Sequence, residues 1–157
     1  MQKIKTFLWF DNQAEEAAIL YTSLFKNSKI LSVDRYAEGT PGQAGTVMTV
    51  TFQLDGQEFV ALNGGPLFKF TEAMSLFVNC ENQEEVDRLW AKLTDGGEES
   101  QCGWLKDKFG VSWQIVPTEF MDLMSSGNPA KAQSVMKAML QMRKLDLALL
   151  RQAYEQG

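Results

Sequence analysis

A repeat constrains this chain more than any other feature of its sequence. Shifting the sequence by 69 positions lays Glu15, Glu16, Ala17, Leu20, Tyr21 and Leu24 on Glu84, Glu85, Val86, Leu89, Trp90 and Leu93, so that acid meets acid and apolar meets apolar. Any two amphipathic helices share some of this pattern, and it is the flanking segments that turn the match into one of whole units. In the first copy, Ile4 to Phe10 is rich in β-branched and aromatic residues and reads as a strand, closed by Asp11-Asn12, which can cap the next element. From Gln13 to Phe25 the apolar residues Ala17, Leu20, Tyr21, Leu24 and Phe25 recur at helical steps. Glu15 and Glu16 stand in the first turn, where the helix dipole favours negative charge. Three extended segments come next, Lys29 to Tyr36, Thr46 to Leu54 and Gln57 to Leu62, separated by Gly39-Thr40-Pro41-Gly42 and the tight Asp55-Gly56 turn.

The order βαβββ then begins again. Ala73 to Val78 reads as a strand, Asn82-Gln83-Glu84-Glu85 as a helix start, and Val86, Leu89, Trp90 and Leu93 as the buried face. After Gly96-Gly97 come Glu98 to Cys102, Trp104 to Lys108 and Val111 to Val116, the last two joined at Phe109-Gly110. The expected fold is α+β, with two βαβββ halves at about 1–66 and 67–117 around a shared cleft, followed by a helical extension of the same domain over 118–157. In that extension Asn128-Pro129 forms a cap and first-turn pair, and Ala132, Val135, Met136, Met139 and Met142 recur at helical spacing. Asp146 is placed to cap a last helix carrying Leu149, Leu150 and Ala153. Met121, Met124, Met136, Met139 and Met142 fit either an irregular groove on the body or the face of a second subunit.

Composition removes several function classes. With 157 residues and 45% hydrophobic content, the chain is long enough to bury a core without metals or disulfides. No apolar run reaches the roughly 18 residues that span a bilayer. The start at Met1-Gln2-Lys3 leads into a short strand rather than a signal peptide, so a cytoplasmic protein with no membrane partner is expected. A net charge of -5 without a basic stripe argues against a nucleic-acid partner. Cys80 and Cys102 form no CxxC pair, and reduced thiols are expected. The absence of histidine excludes Ser-His, Cys-His and His-metal sites at once.

The run Cys102-Gly103-Trp104-Leu105-Lys106-Asp107-Lys108-Phe109-Gly110-Val111-Ser112-Trp113-Gln114-Ile115-Val116-Pro117, with Leu62-Asn63-Gly64-Gly65-Pro66 and the Asn82 helix start, resembles the PhnB-like group of the vicinal-oxygen-chelate (glyoxalase) superfamily. That group is often labelled 3-demethylubiquinone-9 3-methyltransferase. The resemblance implies the fold and a homodimer, and leaves the activity open because one fold hosts many functions. The label itself is not matched by a cofactor cradle: Asn63-Gly64-Gly65-Pro66 leads into Leu67-Phe68-Lys69-Phe70 instead of a helix, and Asp95-Gly96-Gly97 follows one. No cofactor is expected. Metal-dependent members of the superfamily hold their ion at positions that the resemblance carries to Thr6, to Ala73 or Ser75, and to Gln114. Hydroxyl, methyl and amide are weak ligands, and no metal is expected there.

Six residues are candidates for a ligand-binding cleft: Thr6, Asn63, Ser75, Cys102, Trp104 and Gln114. Alternation puts Gln114 on one face with Ser112 and Val116, and Trp113 with Ile115 on the other. The Gln114 amide can orient a ligand or satisfy neighbouring backbone, and Asn63 can do the same or close a turn. Trp104 can stack on a flat ligand or pack. Thr6 and Ser75 offer hydroxyls. Cys102 is a nucleophile only if Lys106, Lys108 or a helix N-terminus lowers its pKa, whereas Cys80 reads as a small apolar residue. The expectation is a metal-independent protein that binds a small organic molecule. The alternatives are a divergent lyase, isomerase or transferase acting through Gln114 and Asn63, and a purely structural module.

Overall fold

In the first repeat five elements form in the order expected: β1 (Thr6–Phe10), α1 (Ala14–Leu24), β2 (Lys29–Arg35), β3 (Val47–Leu54) and β4 (Gln57–Asn63). They belong to a computed structural model that describes all 157 residues and divides into two units, Met1–Phe70 and Thr71–Gly157. The four strands of the first unit make one sheet in the order β1-β4-β3-β2, with β1 parallel to β4 and the others antiparallel. Helix α1 lies on one side of it. Ala14, Ala17 and Ala18 are fully buried, and their small side chains let α1 approach the strands closely while Tyr21 and Leu24 fill the gap beyond. From the sheet, Leu8, Phe10, Val50, Phe52, Leu54, Phe59 and Ala61 alternate into this core. The stacked rings of Phe52 and Phe59, 5.4 Å apart, sit beside Tyr21.

The cap of α1 does not come from Asp11-Asn12. Parallel pairing carries on past the end of β1: the Gly64 and Gly65 N–H groups donate to the carbonyls of Phe10 and Asp11, which holds that stretch against β4. The N-cap position falls on Gln13, whose side chain makes no cap bond. The Ala14 N–H donates instead to Oδ1 of Asn63, at 2.8 Å. Ile4 and Lys5, expected in the strand, precede it, and Leu20 is only half-buried on α1.

The second unit repeats the order with β5 (Ser75–Cys80), α2 (Gln83–Thr94), β6 (Glu98–Glu99), β7 (Trp104–Lys106) and β8 (Ser112–Pro117). Its sheet runs β5-β8-β7-β6, with β5 parallel to β8. Val86, Leu89, Trp90 and Leu93 of α2 are buried, as expected, with Leu105, Trp113 and Ile115 of the sheet. Asn82 caps the helix by accepting from the Glu85 N–H, while the Glu85 carboxylate accepts from the N–H of Glu81.

Two strands of this half, β6 and β7, are shorter than expected, each for a local reason. β6 stops at Glu99 because Ser100 to Gly103 form a turn in which Cys102 adopts a left-handed φ of 60°. β7 stops at Lys106 because the next residue, Asp107, turns the chain: its Oδ1 accepts from the N–H groups of Phe109 and Val111. β5 begins at Ser75 instead of Ala73 and continues to Cys80.

Beyond β8 the chain is helical, with α3 (Thr118–Met124), α4 (Pro129–Met139) and α5 (Leu147–Gln156). Asn128 and Asp146 cap α4 and α5 by accepting from the N–H groups of Lys131 and Leu149. Helix α3 was not separately visible in the sequence. Val116, Phe120, Val135, Leu145 and Leu150 form a buried cluster, into which Met124, Met139 and Met142 also pack. The segment between α4 and α5 is fastened to the second repeat by direct bonds. The Cys102 and Gly103 N–H groups donate to the carbonyls of Met142 and Arg143, and the Gln83 side chain both donates to the Leu145 carbonyl and accepts from the Leu147 N–H. No helix is long and apolar enough to cross a membrane.

Candidate functional site

Strand register sorts the side chains of the second sheet. Trp113, Ile115 and Leu105 turn to α2, so Ser112, Gln114 and Trp104 take the opposite face. Parallel pairing with β5 sets Phe77 beside Gln114 and Ser75 beside Ser112, while antiparallel pairing with β7 sets Trp104 beside Gln114 and Lys106 beside Ser112. The result is an aromatic-amide row, Phe77–Gln114–Trp104, next to a polar row, Ser75–Ser112–Lys106. The Gln114 amide is fixed in place by donating from Nε2 to Ser75 Oγ at 2.9 Å. Phe77, at the sheet edge, is 48% exposed. The Val116 end of the same face is closed by α3 to α5 through Phe120, Val135 and Leu150.

Lys106 is paired with Glu72, just before β5. The bond from the ammonium holds Glu72 below the usual carboxylate range, and the same bond raises Lys106. With the Glu72 pKa depressed, whatever the pair contributes is present above the ordinary carboxylate pKa and lost as pH falls through the folded value. Both groups are exposed to solvent, and the pair adds little to stability.

Four of the six expected residues lie in the second unit and two in the first. Ser75, Trp104 and Gln114 share one face of the β5-β8-β7 sheet, and Cys102 sits in the turn leading into β7. Thr6 and Asn63 belong to the first unit. Thr6 alternates with the buried Leu8 and Phe10 and so lies on the α1 side of its sheet. Asn63 spends both ends of its amide on the fold, accepting from the Ala14 N–H and donating to the Val47 carbonyl at 3.1 Å. Phe77 and Lys106 were missed, although alternation from Ser75 and from Trp104 was the signal that pointed to them. The two thiols differ sharply. Burial, followed by the nearby Glu85 charge, pushes Cys80 up to about 12, while Cys102 is half-buried. Iodoacetamide at neutral pH is therefore expected to label the folded protein once, at Cys102, with Cys80 reacting only after denaturation; peptide mass mapping checks this.

At the positions where the fold family would hold a metal, the second unit offers the Ser75 hydroxyl and the Gln114 amide, already bonded to each other. No three Cys, Asp or Glu side chains converge anywhere in the chain. Neutral oxygens of this kind do not fit a divalent transition-metal site. A strand-glycine-helix cradle is not formed either. Gly64 and Gly65 follow β4 with Gly64 pressed on the Trp9 ring, and Gly96 and Gly97 end α2 with Gly97 against the backbone of Lys106 and Asp107.

Two βαβββ units of this topology with a helical C-terminus define an α+β protein of the glyoxalase-like fold. The family model described as 3-demethylubiquinone-9 3-methyltransferase matches residues 2–116, and the chain belongs to that family, the PhnB-like group of the superfamily. It is similar to the PhnB protein of Bacillus cereus, at 47% identity over 74% of this chain and 99% of that one, with a TM-score of 0.69. A Staphylococcus aureus protein is 38% identical over 75% of this chain and 97% of that one, with a TM-score of 0.34. The Pseudomonas aeruginosa protein PA1353 shares the fold at 19% identity, over 72% of this chain and 95% of that one, with a TM-score of 0.59. No curated protein matches the chain.

Proposed function

We propose that this protein binds a small organic molecule without the help of a metal ion, and that the ligand seats on the face of β5, β7 and β8 carrying Phe77, Gln114, Trp104 and Ser75. One observation carries the reading: an amide already oriented by Ser75 stands between two aromatic side chains that are not consumed by the core. Binding sites commonly combine flat apolar surface with a few fixed polar groups, and this row has both. The neutral donor set supports metal independence. Two free thiols fit a reducing compartment, the cytoplasm. Exposed apolar side chains such as Phe7, Phe68 and Met74 support a homodimer, for which sedimentation should give twice the mass of the chain.

The test is a screen of planar organic compounds by quenching of tryptophan fluorescence. Trp104→Ala and Gln114→Ala are each expected to weaken a hit by about tenfold or more with the melting temperature nearly unchanged. Dialysis against a chelator should leave the affinity as it was. Binding lost on chelation, or unaffected by both substitutions, would overturn the reading.

A further inference from the structure

The hydrogen-bonding inventory of this face says which ligands it can hold. Three of the four indoles have their N–H groups bonded within the chain: Trp9 donates to the Gly65 carbonyl, Trp90 to the Glu99 carboxylate and Trp113 to the Asp107 carboxylate. Trp104, in the aromatic row, has no such partner. In the adjacent row the Ser112 hydroxyl belongs to a residue that is 1% exposed and makes no hydrogen bond at all. Ser75 already accepts a hydrogen bond from Gln114, which leaves its own O–H to donate elsewhere. Gln114 keeps one further N–H and its carbonyl oxygen. Four donors on this face thus make no hydrogen bond within the chain, and one of the hydroxyls is also buried, a state that native structures rarely leave unexplained. The only cation is Lys106, held by Glu72 with Glu98 also acting on it, so the face offers no unpaired positive charge.

We infer that the site selects a planar, uncharged molecule with a carbonyl oxygen on its edge, which accepts from the Trp104 N–H and the serine hydroxyls while its ring lies along Phe77 and Trp104. Carboxylates and phosphates fit badly, because they would meet Glu72 and Glu98 before any free cation. The inference rests on the proposed seat and adds the ligand's chemical class to it.

Matched probes separate the two claims: 1-indanone, indane, which has the same rings without the oxygen, and indane-1-carboxylate. A site built to hydrogen-bond a ligand group discriminates strongly against the analogue that lacks it. Titrations followed on the tryptophan indole N–H resonances should show indanone binding at least about tenfold more tightly than indane or the carboxylate. Indanone alone should shift the Trp104 resonance, which is identified by its loss in Trp104→Phe. Ser112→Ala, which removes only the orphan hydroxyl, and Trp104→Phe, which keeps a ring but no N–H, should each shrink the indanone-to-indane ratio to about threefold or less. Equal affinity for indanone and indane, abolished in both by Trp104→Ala, would refute the carbonyl inference and leave the seat intact, and tightest binding of the carboxylate would refute it as well. If none of the three perturbs the Trp104 resonance, the seat and the inference fall together.

Discussion

Replacing Asp107 with alanine is expected to destabilise the protein by about 3–5 kcal/mol and to lower its melting temperature by roughly 10–15 °C. Asp107 is almost fully buried between β7 and β8, and its carboxylate accepts from three donors: the N–H groups of Phe109 and Val111 on one oxygen and the Trp113 indole on the other. Alanine would strand all three away from water, and an unmet buried donor costs about 1–3 kcal/mol. Asp107→Asn keeps one acceptor oxygen but turns an N–H toward another donor, so an intermediate loss is expected. The effect reaches the proposed binding face, because this turn sets the register that places Lys106 beside Ser112 and Trp104 beside Gln114. Urea unfolding followed on tryptophan fluorescence measures it. A loss below about 1 kcal/mol for the alanine variant would show that the carboxylate does not hold the turn.

Asn63→Ala should cost roughly 2–4 kcal/mol. Its amide joins the first turn of α1 to β3, accepting from the Ala14 N–H and donating to the Val47 carbonyl, and alanine leaves both unpaired. Asn63→Asp preserves the acceptor and places a negative charge at the start of a helix, so it should recover part of the loss while still lacking the donor to Val47. A ligand contact predicts a different pattern, with stability unchanged and affinity lost in both variants. Thermal unfolding alongside a binding titration tells the two apart.

These residues show what the sequence could and could not reveal. The βαβββ order was legible because helix and strand periods are local, and the two helices repeat the same acid-then-apolar order. The role of Asn63 was not, since its partner Ala14 lies far off in the chain and nothing near Asn63 announces it. The start of α1 misled for the same reason: Asp11 and Asn12 are good caps by type, but pairing to Gly64 and Gly65 holds that stretch to the sheet. Asp107 was more accessible, because an acidic residue three positions before Gly110 is a turn signal, although its bond to Trp113 needed the strand register. For the face itself, alternation gave Ser112 from Gln114, Phe77 from Ser75 and Lys106 from Trp104, but that these residues share one face required knowing which strands flank β8.

The fastening of the segment between α4 and α5 onto Cys102, Gly103 and Gln83 has a consequence for synthesis. A chain emerging from the ribosome can fold its first repeat early, since Met1–Phe70 holds its own sheet and core. The second repeat cannot finish in the same way. Until Met142 to Leu147 arrive, the turn before Trp104 lacks the carbonyls that its N–H groups bind, and Val116 lacks the apolar neighbours that cover it. A nascent chain halted at the family-model boundary, residue 116, would thus carry every residue of the proposed seat without the means to set it. During synthesis, completion of the proposed seat waits on the Met142–Leu147 segment.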